Sequence, residues 1–184
     1  MNRTVKPIED RYLPSAMALV EDVFTAHADA KEGRMVRRLA EEVRSKKYHV
    51  PALELIAVSE EDEVIGYAMF SRFHIQGRYE DGLLLLTPVA VKTALQRQHI
   101  SKDMLEYGFA RAKELGFRAV LVEGDPRNYS ARGFQPSYRF GIEAGPSIHL
   151  PHPDCLMVKE LAEGALEQMS GLVDYSFYDT LREE

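Results

Sequence analysis

Nowhere in this chain of 184 residues is there an uninterrupted apolar run of about 20, the length a helix needs to cross a bilayer, so no membrane span is expected. The opening stretch, MNRTVKPIEDRYLPSAM, has no apolar core of the kind a secretory leader carries, so export is not expected either. There is one cysteine, Cys155, which excludes an internal disulfide and suits a reducing cytoplasm. No internal repeat, low-complexity tract or linker interrupts the chain, and a single domain over residues 1–184 is expected, large enough for a sizeable core. Positive charge is not in excess. The 23 Lys and Arg are outnumbered by 29 Asp and Glu, and a formal net charge of −6 argues against non-specific nucleic-acid binding. A hydrophobic content of 45% with 28% charged residues is that of a globular protein in water.

Taken in order, residues 4–8 read as a first strand and 14–24 as a helix opened by Pro14, with Leu13, Met17, Val20 and Phe24 along one side. A second helix is expected over 32–46, where Met35, Leu39 and Val43 recur every four residues and Arg34, Arg37 and Arg38 form a basic, solvated face. Strands follow at 53–58 and 64–73, joined by the polar turn SEEDE, and at 83–91 after a turn over 76–82. Pro88 lies inside that last strand. Proline cannot donate to a ladder, so it marks a bulge or an unpaired stretch. Beyond Phe134 the chain is rich in loops, with Pro136, Pro146, Pro151 and Pro153, and strands are expected only at 156–161 and 171–175. The phrase HLPHPDC places His149, His152, Asp154 and Cys155 close together, all potential metal ligands, but its prolines make it a loop and no metal is expected.

The stretch 89–134 organises the chain. It reads strand (VAV), loop (KTALQRQHI), helix (SKDMLEYGFARAKEL), strand (RAVLV), then a turn and short helix (EGDPRNYSARGF). Ile100, Met104, Leu105, Phe109, Ala112 and Leu115 make an apolar stripe that faces a core. Gly116 follows as a helix C-cap, and Phe117 can fold back onto the last turn. A strand-helix-strand unit this compact implies a parallel pair with a right-handed crossover. It also leaves amide groups near residues 100–103 unpaired at a helix start, which suits a phosphate, and Lys92, Arg97 and Lys102 surround that position.

Residues Gln96, Arg97, Gln98, His99, Ile100 and Ser101 stand where the GNAT N-acetyltransferases carry Gln/Arg-x-x-Gly-x-Gly/Ala, and GDPRNYSARGF resembles that family's Tyr-x-x-x-Gly-Phe close, with Tyr129, Gly133 and Phe134 in register. With LLLLTPVAV and ELAEGALEQMSG, these phrases resemble a bacterial branch of predicted N-acetyltransferases over nearly the whole chain. Both motif glycines are replaced, by His99 and Ser101. The resemblance implies an α/β fold, a central splayed mixed sheet flanked by helices, and acetyl-coenzyme A as co-substrate, without a metal. By it, the backbone of Val89, Ala90 and Val91 supplies an oxyanion donor, the run from Gln96 through Lys102 holds the pyrophosphate, and Tyr129 is the general acid. The expected acceptor is a primary amine on a small molecule or peptide, with Glu80, Asp81, Glu123 or a water chain equally able to serve as base, and a homodimer would be in keeping with the family. A degenerate domain that senses coenzyme A or binds a partner without catalysis is the alternative reading, favoured by the missing glycines.

Overall fold

The computed structural model describes residues 1–182. In chain order the elements are β1 (Arg3–Pro7), α1 (Leu13–His27), α2 (Ala30–Ser45), β2 (Glu54–Ser59), β3 (Val64–Arg72), β4 (Leu83–Val91), α3 (Ile100–Glu114), β5 (Ala119–Glu123), α4 (Pro126–Tyr129), β6 (Gln135–Pro136), β7 (Ile142–Ala144), β8 (Leu156–Glu160), β9 (Gly171–Val173) and α5 (Asp179–Arg182). Seven strands form a mixed sheet in the order β1-β2-β3-β4-β5-β8-β6, and β7 pairs with β9 in parallel. The mixed α/β expectation therefore holds. The short strands β6 and β7 were not expected, because two or three residues carry no readable alternation. By packing, the chain divides into two compact units: Met1–Ser71 with Thr87–Arg111, and Arg72–Leu86 with the chain from Ala112 onward.

In the first unit β1 and β3 flank β2 in antiparallel registers, from Arg3↔Ser59 to Pro7↔Leu55 and from Glu54↔Met69 to Val58↔Val64. Every residue of β2 is buried, which is why ELIAVS shows no alternation. In α2 the buried positions are Gly33, Val36, Leu39, Ala40 and Val43, while Met35 is only half-buried. Asp29 caps this helix by accepting from the Glu32 amide at 2.9 Å. On its other face Arg34 and Arg38 are exposed, whereas Arg37 pairs with Glu21 and Glu41, both at 3.0 Å.

Helix α3 lies close on β3. A Cβ placed at Gly108 would stand 2.3 Å from Phe70 Cε2, and one at Gly66 would stand 2.9 Å from Met104 Cε. Phe109 meets Phe70 edge-on, ring centroids 5.8 Å apart. Ile100, Met104, Leu105 and Ala112 are buried as the stripe predicts, and Phe109 is half-buried. Leu115 is the correction: it is 42% exposed. The helix ends at Glu114, and Gly116 at φ +88° turns the chain so that the Phe117 amide donates to the Ala112 carbonyl at 3.0 Å. Phe117 then takes the buried place.

In the second unit β4 and β5 run parallel from Leu83↔Ala119 to Leu85↔Leu121, so this register stops before Pro88, whose peptide bond with Thr87 is cis. Strand β5 pairs along its whole length with β8, from Ala119↔Glu160 to Glu123↔Leu156.

One carboxylate in the first unit is fully enclosed. Glu54, 0% exposed, accepts from Arg44 Nε at 2.9 and 3.1 Å and from the Tyr67 hydroxyl at 2.8 Å, and His49 Nε2 lies 2.6 Å from it. Burial and the Glu54 charge push the Tyr67 phenol well above its usual range, so it remains a donor. A charge taken from water this completely stays only because its oxygens are all met. Glu54→Gln leaves Arg44 without its counter-charge and should cost about 3 kcal/mol of stability, read from urea unfolding midpoints; an unchanged midpoint would contradict this role.

Candidate functional site

The connection from β4 to α3 is tied at its start by the Lys92 amide, which donates to the Ile65 carbonyl at 3.0 Å. A single tight turn over Thr93–Leu95 follows, then extended Gln96, whose Nε2 donates back to the Val91 carbonyl at 3.4 Å. Arg97 and His99 both have left-handed backbones, φ +64° and +63°. Such a conformation costs a residue with a Cβ about 1–2 kcal/mol, and glycine is the residue that adopts it freely. His99 thus holds, in strain, the backbone shape that a glycine would supply at this point.

Helix α3 begins at Ile100, and its first i→i−4 bond is the Asp103 amide to the His99 carbonyl, 3.0 Å. The amides of Ile100, Ser101 and Lys102 precede that bond and form the positive end of the helix; the Asp103 amide, also expected to be available, is already used. Asp103 would oppose an anion here, but Arg3 neutralises it at 2.6 Å. Of the expected cations, Lys92 forms an ion pair with Glu63, Lys102 lies 3.8 Å from Glu106, and Arg97 has no ion-pair partner among the described residues. Gln96, Arg97, Gln98, His99 and Lys102 are exposed, Val89, Val91 and Ser101 half-buried, and Ala90 and Ile100 buried. All these positions belong to the first unit.

Tyr129 and Glu123 belong to the second unit. Asp125 accepts from the Arg127 amide at 2.9 Å and Pro126 opens the single turn of α4. Gly133, left-handed at φ +87°, then brings the Phe134 amide back to the Tyr129 carbonyl at 3.3 Å. The Tyr129 ring packs edge-on against Phe134, centroids 5.5 Å apart, and covers Gly124, where a Cβ would stand 2.4 Å from Tyr129 Cε2. Burial raises the Tyr129 phenol above its usual pKa, against a smaller opposing effect of Arg132, so it stays protonated through neutral pH.

Among the three carboxylates named from the sequence, Asp81 is fully exposed beside Arg72 at 3.4 Å, and Glu80 is half-buried. Glu123 is exposed at the end of β5; partial desolvation of its carboxyl nevertheless raises the pKa, and a hydrogen bond from the Tyr175 hydroxyl, 3.1 Å, opposes that shift. Neither Gly124 nor Tyr175 was marked by a motif. In HLPHPDC, Asp154 accepts from the Tyr138 hydroxyl at 2.7 Å and its amide donates to His152 Nδ1 at 3.1 Å. Among the described residues no group of three or more His, Cys, Asp and Glu is placed to hold a metal ion.

The acetyltransferase (GNAT) family model matches residues 17–141. An uncharacterised N-acetyltransferase, YhbS of Escherichia coli K12, is 30% identical over 166 residues, which is 88% of this chain and 89% of that protein. The crystal structure of Escherichia coli YhbS in complex with CoA superposes with a TM-score of 0.83 at 23% identity, covering 100% of this chain and 93% of that one. A GNAT family acetyltransferase from Brucella melitensis in complex with acetyl-CoA gives a TM-score of 0.62 at 28% identity, over 73% of this chain and 83% of that one.

The Gly124 contact is testable in isolation. Gly124→Ala should push the Tyr129 ring aside, at about 1–3 kcal/mol, seen as a lower unfolding midpoint with displaced Tyr129 ring resonances; unmoved resonances would show that the ring does not rest there.

Proposed function

Since the chain belongs to the GNAT family of acetyltransferases, we propose that it transfers an acetyl group from acetyl-coenzyme A to a primary amine by direct attack on the thioester. The observation that carries this reading is the backbone at His99. The motif has lost its glycine, yet the left-handed turn that brings the loop into the helix start is kept. The amides of Ile100, Ser101 and Lys102, with the exposed guanidinium of Arg97, suit a pyrophosphate, and Gln98 and His99 lie beside them on the exposed loop. Acetyl-coenzyme A supplies the activated acyl group. The amides of Val89, Ala90 and Val91 serve as donors to the negative charge that develops on the thioester oxygen. Glu123 takes a proton from the acceptor's ammonium so that the free amine attacks, and Tyr129, protonated at neutral pH, gives one to the departing thiolate. We read the chain as one acetyltransferase domain acting in the cytoplasm on a small-molecule or peptide amine.

Calorimetry with acetyl-coenzyme A should show micromolar binding. His99→Gly removes the Cβ without changing the backbone the loop requires, and should tighten that binding by about 1 kcal/mol, on the order of one hydrogen bond. No heat at millimolar ligand would return the chain to the non-catalytic alternative, and weaker binding by the glycine variant would assign the imidazole itself a phosphate contact.

Tyr129→Phe should lower the turnover number by about 10²–10⁴-fold with coenzyme A affinity nearly unchanged. An unaltered turnover number, with the chemical step limiting, removes Tyr129 from the mechanism.

A further inference from the structure

The segment from Leu166 to Tyr178 lies beyond the region that matches the family, residues 17–141. It is fastened along its length to other parts of the second unit. Arg118 donates to Gln168 Oε1 at 2.8 Å, Arg78 to the Ser170 carbonyl at 3.0 Å, and the Ser170 amide to the Tyr79 hydroxyl at 3.3 Å. Gly171 presses so close to the turn after β3 that a Cβ there would stand 2.6 Å from Gln76 Oε1. Farther on, Phe73 packs against Tyr175 and Phe177, centroids 6.2 and 5.4 Å away, and His74 lies 4.4 Å from Phe177. These contacts hold Tyr175 so that its hydroxyl reaches Glu123 Oε2 at 3.1 Å.

Glu123 is exposed at the end of β5, and among the described residues no Lys, Arg or His pairs with it. Near it stand the Tyr175 hydroxyl, which donates to it, and Tyr129, whose ring covers Gly124. Neither brings positive charge. The exposed carboxylate is therefore open to an ammonium from outside.

We propose that Tyr175 is a positioning residue for the acceptor: its hydroxyl fixes the Glu123 carboxylate as the anion that receives the acceptor's ammonium group. This rests on the acetyl-transfer reading above. The ammonium N–H bond breaks, its proton passes to a Glu123 oxygen, and the freed lone pair forms the new bond to the acetyl carbon. The carbon–sulfur bond breaks, the leaving thiolate takes the Tyr129 hydroxyl proton, and the second proton shed by the acylated nitrogen passes through solvent to restore the Tyr129 phenol, so charge and protons balance. Tyr175 can hold its place throughout, since burial and the Glu123 charge push its own phenol well above the usual range and keep it a donor.

The test follows the Glu123 carboxyl directly, in full-length protein carrying ¹³C-labelled glutamate. The Glu123 resonance is the one absent from Glu123→Gln. A hydrogen bond donated to the ionised form lowers a carboxyl pKa, so Tyr175→Phe should move the Glu123 titration midpoint to higher pH while acetyl-coenzyme A affinity stays unchanged. Phe177→Leu, which loosens the same segment but keeps the hydroxyl, should leave the midpoint near that of the wild type. An unmoved midpoint in Tyr175→Phe, or an equal shift in Phe177→Leu, overturns the role of Tyr175 and leaves acetyl transfer standing. Failure of the wild-type protein to bind acetyl-coenzyme A in calorimetry overturns both.

Discussion

The close seating of α3 on β3 is the constraint from which the first unit takes its functional geometry. Gly66 makes room for the Ile100 and Met104 side chains, and Gly108 for the Phe70 ring. With the helix held there, its start cannot drift along the strand. The loop ahead of it is pinned at Lys92 by the Ile65 carbonyl and must reach Ile100 in the residues available. Left-handed Arg97 and His99 are the outcome. Their strain is tolerated because packing at both ends of the loop over-determines it, as at many ligand-binding turns.

Two carboxylates illustrate opposite settings, one enclosed and one exposed. Glu54 is met by Arg44, His49 and Tyr67, and its role is to join the end of α2 to β2 and β3. Glu123 has one donor, Tyr175, and no cation among the described residues. The first arrangement is closed and serves the fold. The second is open and has unspent capacity for a charged ligand. The same distinction separates Tyr67, locked in a hydrogen bond to Glu54, from Tyr129, whose raised pKa comes from burial rather than from a charged partner.

Where periodicity was strong, sequence and structure coincide closely. Strand β4 has the expected bounds, α3 is shifted by one residue, and Gly116 turns the chain at its end as expected. Agreement fails where the decisive partner is remote. Leu115 fits the stripe by spacing but lies past the point where Phe117 closes the helix end. Strands β6 and β7 are defined by the neighbours they pair with and have no pattern of their own. Tyr175 reaches Glu123 across 52 positions of chain, a relation that no local motif encodes.

By itself, the order of residues determined the mixed α/β class, the turn that ends α3, the turn and short helix after β5, and the resemblance that singled out Tyr129 and the loop before Ile100. These are local properties, set by side-chain volume, spacing and backbone preference within a few residues. Only the tertiary structure decided that His99 takes a glycine's backbone, that Gly124 makes room for the Tyr129 ring, and that Glu123 accepts the Tyr175 hydroxyl while desolvation raises its pKa. Those outcomes depend on distances between segments far apart in the chain. A dihedral under strain, a buried ring and a displaced pKa exist only once such segments are packed together.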